Sequence, residues 1–239
     1  MTPIHGIDVS KHNGTINWAM AKTSGKVNFA MLRAGYGRLA SQKDAQFEAN
    51  YKGAKSVGVP IGAYWYSYAM SVEEALQEAA ACIECIKDKQ LEYPIFFDVE
   101  EGAQLALGKD KVTAIIAAFL GKLQAAGYWV GLYMSASPLS TLVRADVLAA
   151  YTVWVAHYGV NKPSFSGRYE MWQYSSNGTV SGISGKVDLD ECYVDFPALI
   201  KEKGLNGWKT DSPAPDKPET KHVELMIDGE TWSGTLTKQ

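Results

Sequence analysis

Eight short strand-like runs, the first five alternating with helix-like stretches, constrain this chain more than any other feature of its sequence. HGIDVS, VNFAMLRAGYG, PIGAYWYSYA, YPIFFDVE and YWVGLYMS carry the β-branched and aromatic residues that suit strands. Between them lie INWAMAKTSG, AQFEANYKGAKSVG, the segment Ser71–Gln90 and KDKVTAIIAAFLGKLQAAG, all of helical composition. After Tyr133 the rhythm changes: TVWVAHY, YEMWQYS and KVDLDECYV come with loops and little helix. Strands that alternate with helices pair in parallel, and eight of them suggest closure. The expected fold is α/β, an irregular β/α barrel of about eight strands, with five β/α units and three further strands.

The 239 residues are enough for one such barrel, and the barrel domain is expected over residues 1–208. Residues 209–222 include TDSPAPDKPETKH, with three prolines, five charged residues and no large apolar side chain, the composition of an extended linker. Residues 223–239 form a pattern of their own, in which Asp228-Gly229 separates two strand-like runs, a hairpin signal. Val223, Leu225, Ile227, Trp232, Thr235 and Leu236 give this tail more apolar surface than two isolated strands can bury. It is expected to dock by strand pairing, with equivalent tails of other chains in preference to its own barrel.

A net charge of −3 argues against nucleic acid as the partner, because phosphate binding needs a basic surface. No apolar run approaches the roughly 20 residues of a membrane span. The start, MTPIHGIDVSKHNG, has no signal-peptide h-region, so action outside the cell would require release by lysis or non-classical export. Cys82 and Cys85 form a CxxC inside a helical segment, without the preceding strand of a redox motif or the second ligand pair of a metal site. These two and Cys192 read as buried thiols. His5, His12, His157 and His222 show no ligand spacing, and no metal or organic cofactor is expected.

In parallel barrels the chemistry sits at the C-terminal ends of the strands. Those ends carry Asp8; Arg33 and Tyr36; Tyr64, Trp65 and Tyr66; Asp98 and Glu100; Tyr133; Trp154, His157 and Tyr158; Trp172, Gln173 and Tyr174; Asp188 and Asp190. Acids and flat rings on one rim suit a carbohydrate. Asp98 and Glu100 stand at i and i+2, so both point to one side, with Cα atoms roughly 6.5–7 Å apart. Two close carboxyls push their pKa values apart, which leaves one protonated and the other ionised. That division of labour is what glycoside hydrolysis requires. A bare DxE is more often a pair of helix caps or ion-paired acids, but here Asp8 and Asp188 end other strands. Glu101 points the other way and is expected to be solvated or to act as a cap.

The motifs GIDVSKHNGTINW, NFAMLRAGYG, GAYWYSYA, PIFFDVE, VGLYMS, WVAHY and MWQYSSNGTVSGISGKVDLD resemble the lysozymes of glycoside hydrolase family 25, from Ile4 to about Leu205. The resemblance implies an irregular β/α barrel that cuts the β-1,4 bond after N-acetylmuramic acid in peptidoglycan. It implies Glu100 as general acid, Asp98 as the acid that stabilises the intermediate, and Asp8 and Asp188 as supporting acids. Tyr64, Tyr133 and Trp154 match the sugar-binding aromatics, joined by Tyr66, Trp172 and Gln173, and Arg33 is placed with them. Many members have His-Phe after the third-strand Tyr, where this chain has Trp65-Tyr66, a change that touches subsite contacts.

Retaining enzymes hold their carboxyls about 5–5.5 Å apart and inverting ones about 6.5–9.5 Å, and an i, i+2 pair falls between. The 2-acetamido oxygen of the substrate offers a third route, and this substrate-assisted retaining route is the preferred one. Two other functions fit the same residues: a chitinase-like β-1,4-N-acetylglucosaminidase, which also uses a strand-borne DxE, and a non-catalytic wall-binding protein.

Overall fold

A computed structural model describes residues 2–209, 220–227 and 230–237. Contacts divide the chain into two units, Met1–Lys209 and Thr210–Gln239.

The first unit is a closed eight-stranded barrel. Its strands are β1 (Ile4–Val9), β2 (Ala30–Tyr36), β3 (Ile61–Tyr66), β4 (Ile95–Asp98), β5 (Val130–Ser135), β6 (Thr152–Ala156), β7 (Met171–Gly178) and β8 (Val187–Cys192). Neighbours from β1 to β7 pair in parallel. Strand β8 closes the barrel by pairing antiparallel with both β7 and β1. Only residues 179–186 separate β7 from β8, too few for the crossover that parallel pairing needs.

Helices α1 (Trp18–Thr23), α2 (Phe47–Ser56) and α3 (Val72–Ile86) follow the first three strands, and α4 (Gly102–Leu105) and α5 (Lys109–Ala125) follow β4. Asn17 and Ser71 start α1 and α3 by accepting the backbone N–H of the third helical residue. Beyond β5 lie two short helices, α6 (Ala136–Leu142) and α7 (Ala145–Ala150), in a stretch expected to hold little helix. The connection from β6 to β7 is parallel yet has no helix at all.

The period of two along each strand sorts the side chains into two cores. Phe97, Leu132, Trp65 and Val155 face outward beneath the helices, where Phe97 stacks on Phe119 of α5 at 3.8 Å between ring centres. Phe29, Met31, Phe96, Tyr133, Trp154 and Met171 fill the interior. Gly6 and Gly131 make room for these rings: a Cβ at either would stand 2.5 or 2.4 Å from Phe29 or Phe96. Tyr93 stacks on Phe29 at 4.6 Å and meets Phe196 of α8 (Phe196–Glu202), which closes the N-terminal end. The interior is thus a packed floor beneath the polar residues of the C-terminal rim. Cys82 and Cys85 on α3 and Cys192 on β8 are buried free thiols. No helix among the described residues is long and apolar enough to cross a membrane.

The second unit contains two strands, β9 (Thr220–Ile227) and β10 (Glu230–Thr237), paired antiparallel from Glu230↔Ile227 to Thr237↔Thr220. The expected Asp228-Gly229 turn and most of the expected linker lie outside the described residues.

Candidate active site

A cavity of about 340 Å³ opens at the C-terminal rim. Asp8 reaches it from β1, Arg33 from β2, Tyr64 and Tyr66 from β3, Asp98 from the last position of β4, Tyr133 from β5, Trp154 from β6, Gln173 from β7 and Asp188 from β8. Glu100 also lines it, although β4 ends two residues earlier. Alternation nevertheless persists past the strand, because Val99 is fully buried in the outer core and Glu100 returns to the cavity side at an exposed lip. The barrel therefore gathers all four acids expected at the site, and ten of the eleven expected residues overall.

Trp172 is the exception. It lies in the outer core, 7% exposed, and donates its indole N–H to the His157 carbonyl at 2.9 Å. Its neighbours Met171 and Gln173 take the inward positions, so the same alternation that aims Gln173 at the cavity aims Trp172 away from it. Glu101 also departs from expectation: it occupies the N-cap position of α4 without a side-chain capping bond and instead accepts the Tyr66 hydroxyl at 2.7 Å.

The carboxyls differ in environment. Asp98 is 4% exposed, and its Oδ1 is buried without a hydrogen-bond partner among the described residues. Burial pushes its pKa well above the usual carboxylate range, the charges of Glu100 and Asp8 add to this, and the Arg33 guanidinium opposes it. Glu100 is also raised, by partial burial and then by Glu101 and Asp188. Asp8 is raised by burial and then by Asp188, its direct cross-strand partner. Arg33 donates through Nε to Asp44 Oδ2 at 2.7 Å, which fixes the guanidinium beside the rim. One of its terminal nitrogens, Nη2, is buried without a partner among the described residues.

A polar network ties the floor of the cavity together. Tyr133 and Tyr158 donate their hydroxyls to Gln173 Oε1 at 2.7 and 2.5 Å, and Gln173 Nε2 donates to Asp8 Oδ2 at 2.6 Å. Trp154 donates its indole N–H to Asp190 Oδ1 at 3.0 Å. Trp154 also meets Tyr133 and Tyr64 edge to face, at 4.6 and 6.2 Å. Tyr158 and Asp190 were not among the expected site residues; Tyr158 stands two residues past the end of β6 and Asp190 within β8. Asp190 could have been found by the i, i+2 reasoning that picked out Asp98 and Glu100, since Asp188-x-Asp190 repeats it on β8. Ser10 and Lys186 complete the rim from loops, and His12 and Asn13 from the single 3-10 turn Lys11–Asn13, where no periodicity announces them. Among the described residues no group of three or more His, Cys, Asp or Glu side chains is arranged to hold a metal ion.

Paired acids beside aromatic rings at the mouth of a β/α barrel are the equipment of a glycoside hydrolase. The sequence from residue 7 to residue 183 matches the family described as glycosyl hydrolases family 25, and the chain belongs to that family. It is similar to the autolytic lysozyme of Clostridium acetobutylicum, with 30% identity over 186 residues, covering 78% of this chain and 55% of that protein. The chain thus spans little more than half the length of that relative. Among solved structures, the bacterial lysozyme of Streptomyces coelicolor shares 29% identity with a TM-score of 0.71, over 84% of this chain and 96% of that one. The modular autolysin LytC of Streptococcus pneumoniae, solved with a synthetic peptidoglycan ligand, shares 31% identity with a TM-score of 0.72, over 80% of this chain and 47% of that one.

Proposed function

We propose that the protein is a peptidoglycan hydrolase that cuts the β-1,4 bond between N-acetylmuramic acid and N-acetylglucosamine and so lyses bacterial cell walls. The observation that carries this reading is the convergence of Asp98 and Glu100 on one cavity walled by Tyr64, Tyr133 and Trp154. Membership of family 25 and the lysozyme and autolysin relatives support it.

In this mechanism Glu100 is the general acid. Its raised pKa keeps a proton available, and its place at the lip lets it reach a glycosidic oxygen. The proton passes to the leaving oxygen as the bond to the anomeric carbon breaks. The 2-acetamido carbonyl oxygen of the substrate closes on that carbon from the opposite face. Asp98 gives up its proton to water as the substrate binds, its Oδ1 accepts the acetamide N–H, and the resulting anion balances the positive charge of the closed ring. Burial favours neutral Asp98 in the free protein, whereas the amide donor and the developing cation favour its anion in the complex. Water then opens the ring, gives its proton to Glu100, and leaves the product with retained configuration. Asp8 and Asp188 set the field around this pair.

Digestion of purified peptidoglycan, with mass analysis of the new reducing ends, tests the reading. N-acetylmuramic acid at those ends is expected; N-acetylglucosamine ends would contradict it.

Residues 1–208 form the catalytic domain in this proposal, 209–222 a linker, and 223–239 an assembling tail. Among the described residues the sheet of this unit has two strands, and a two-stranded sheet is marginal alone, which favours pairing with tails of other chains.

A further inference from the structure

Asp190 is a buried acid that the proposed chemistry leaves unused. It sits on β8 two residues from Asp188, on the same face, and is 0% exposed. Its Oδ1 accepts the Trp154 indole N–H at 3.0 Å, while its Oδ2 is buried and receives no N–H or O–H donor among the described residues. The register pairs Asp190 with Gly6 of β1 and with Gln173 of β7, so Asp8, two residues on from Gly6 and on the same face, is its neighbouring acid. Two carboxyls can hydrogen-bond only if one of them keeps a proton. Asp8 already receives the Gln173 amide at 2.6 Å, which stabilises an anion there, and it lines the open cavity. Asp190 has one donor and no access to solvent.

We propose that Asp190 is a protonated positioning residue, whose Oδ2–H donates to the Asp8 carboxylate while its Oδ1 holds the Trp154 indole. The empty position at Oδ2 then carries a hydrogen that needs no external donor. Burial, followed by the charges of Asp8 and Asp188, holds the Asp190 pKa well above the usual carboxylate range, in line with this assignment. The consequence reaches the cavity at two points. Asp8 is gripped from both sides, by Gln173 and by Asp190, with one negative charge between the two acids. Trp154, one wall of the cavity, is held in a single orientation against Tyr133 and Tyr64. Asp190 touches no substrate in this arrangement and acts through its two neighbours.

The kinetic part of the test rests on the proposed hydrolase reading, whereas infrared spectroscopy needs no substrate and keeps the two claims separable. The side chain of Asn offers an NH2 donor and a carbonyl where a neutral acid offers O–H and carbonyl. Asp190→Asn is therefore expected to keep kcat within about threefold of the wild type, and Asp190→Leu to lose about 10²-fold through misplaced neighbours. With aspartate isotopically labelled, the wild type at neutral pH is expected to show the carbonyl band of an un-ionised buried acid, and Asp190→Asn to lose one such band. An Asn variant as impaired as the Leu variant, or a spectrum from which Asp190→Asn removes only ionised carboxylate, would overturn the assignment. The infrared result decides the matter if the Leu variant fails to fold.

Discussion

Gln173 on β7 donates its amide N–H to Asp8 on β1 at 2.6 Å, across the position of the antiparallel strand β8 that separates the two in the barrel. Its Oε1 accepts two tyrosine hydroxyls at the same time, so much of the hydrogen-bonding capacity of this amide serves the protein and not a sugar. Gln173→Leu should take the amide donor from the buried Asp8 carboxylate and leave the Tyr133 hydroxyl without its acceptor. Unfolding free energy is expected to fall by about 1–3 kcal/mol in urea titrations. In steady-state assays kcat should fall more than KM rises; a change in KM alone would show that Gln173 binds sugar instead of ordering Asp8.

Asp98 should contribute to activity at the expense of stability. Its folded-state pKa is raised, so from the unfolded carboxylate value of about 3.9 upward the folded protein holds a proton that the unfolded chain has released. Stability attributable to this residue is therefore present at low pH and lost as pH rises toward the folded value. Asp98→Asn does not titrate. Its melting temperature should exceed that of the wild type by a margin that widens between about pH 5 and about pH 8, while turnover falls by about 10²-fold or more. A melting temperature below the wild type at about pH 8 would count against the burial argument.

Much of the site was legible because one rule, alternation along a strand, was enough. It takes Phe96 and Asp98 inward and Phe97 outward on β4, and it carries Glu100 to the cavity after the strand has stopped. Trp172 shows where that rule was set aside. The family resemblance placed it among the sugar-binding residues, yet its parity with Gln173 already put it on the outer face. The reversal of β8 was hidden for a different reason: pairing direction depends on the length of the loop before it, and a strand's own composition does not record it. Ser10 and Lys186 in loops, and His12 on a single 3-10 turn, follow no period.

Trp172→Phe should accordingly weaken the fold by about 1–3 kcal/mol through lost packing and the lost bond to the His157 carbonyl, with KM for glycan unchanged. Trp154→Phe should raise KM. Equal effects of the two substitutions on KM would return Trp172 to the site.

The tail offers a separable test. Truncation after residue 210 should leave hydrolysis of small soluble fragments intact, lower the solution mass from oligomer to monomer, and weaken lysis of whole walls. A full-length chain that scatters light as a monomer throughout the micromolar range would rule out self-association.

Turnover of Glu100→Gln on purified peptidoglycan tests the central claim most directly. The amide keeps the shape of the side chain at the lip of the cavity but has no acidic proton to give. Release of reducing ends is expected to fall by about 10²–10⁴-fold, with wall binding and melting temperature close to the wild type. A variant that keeps more than about a tenth of wild-type turnover while binding walls normally would contradict the assignment of Glu100 as the proton donor.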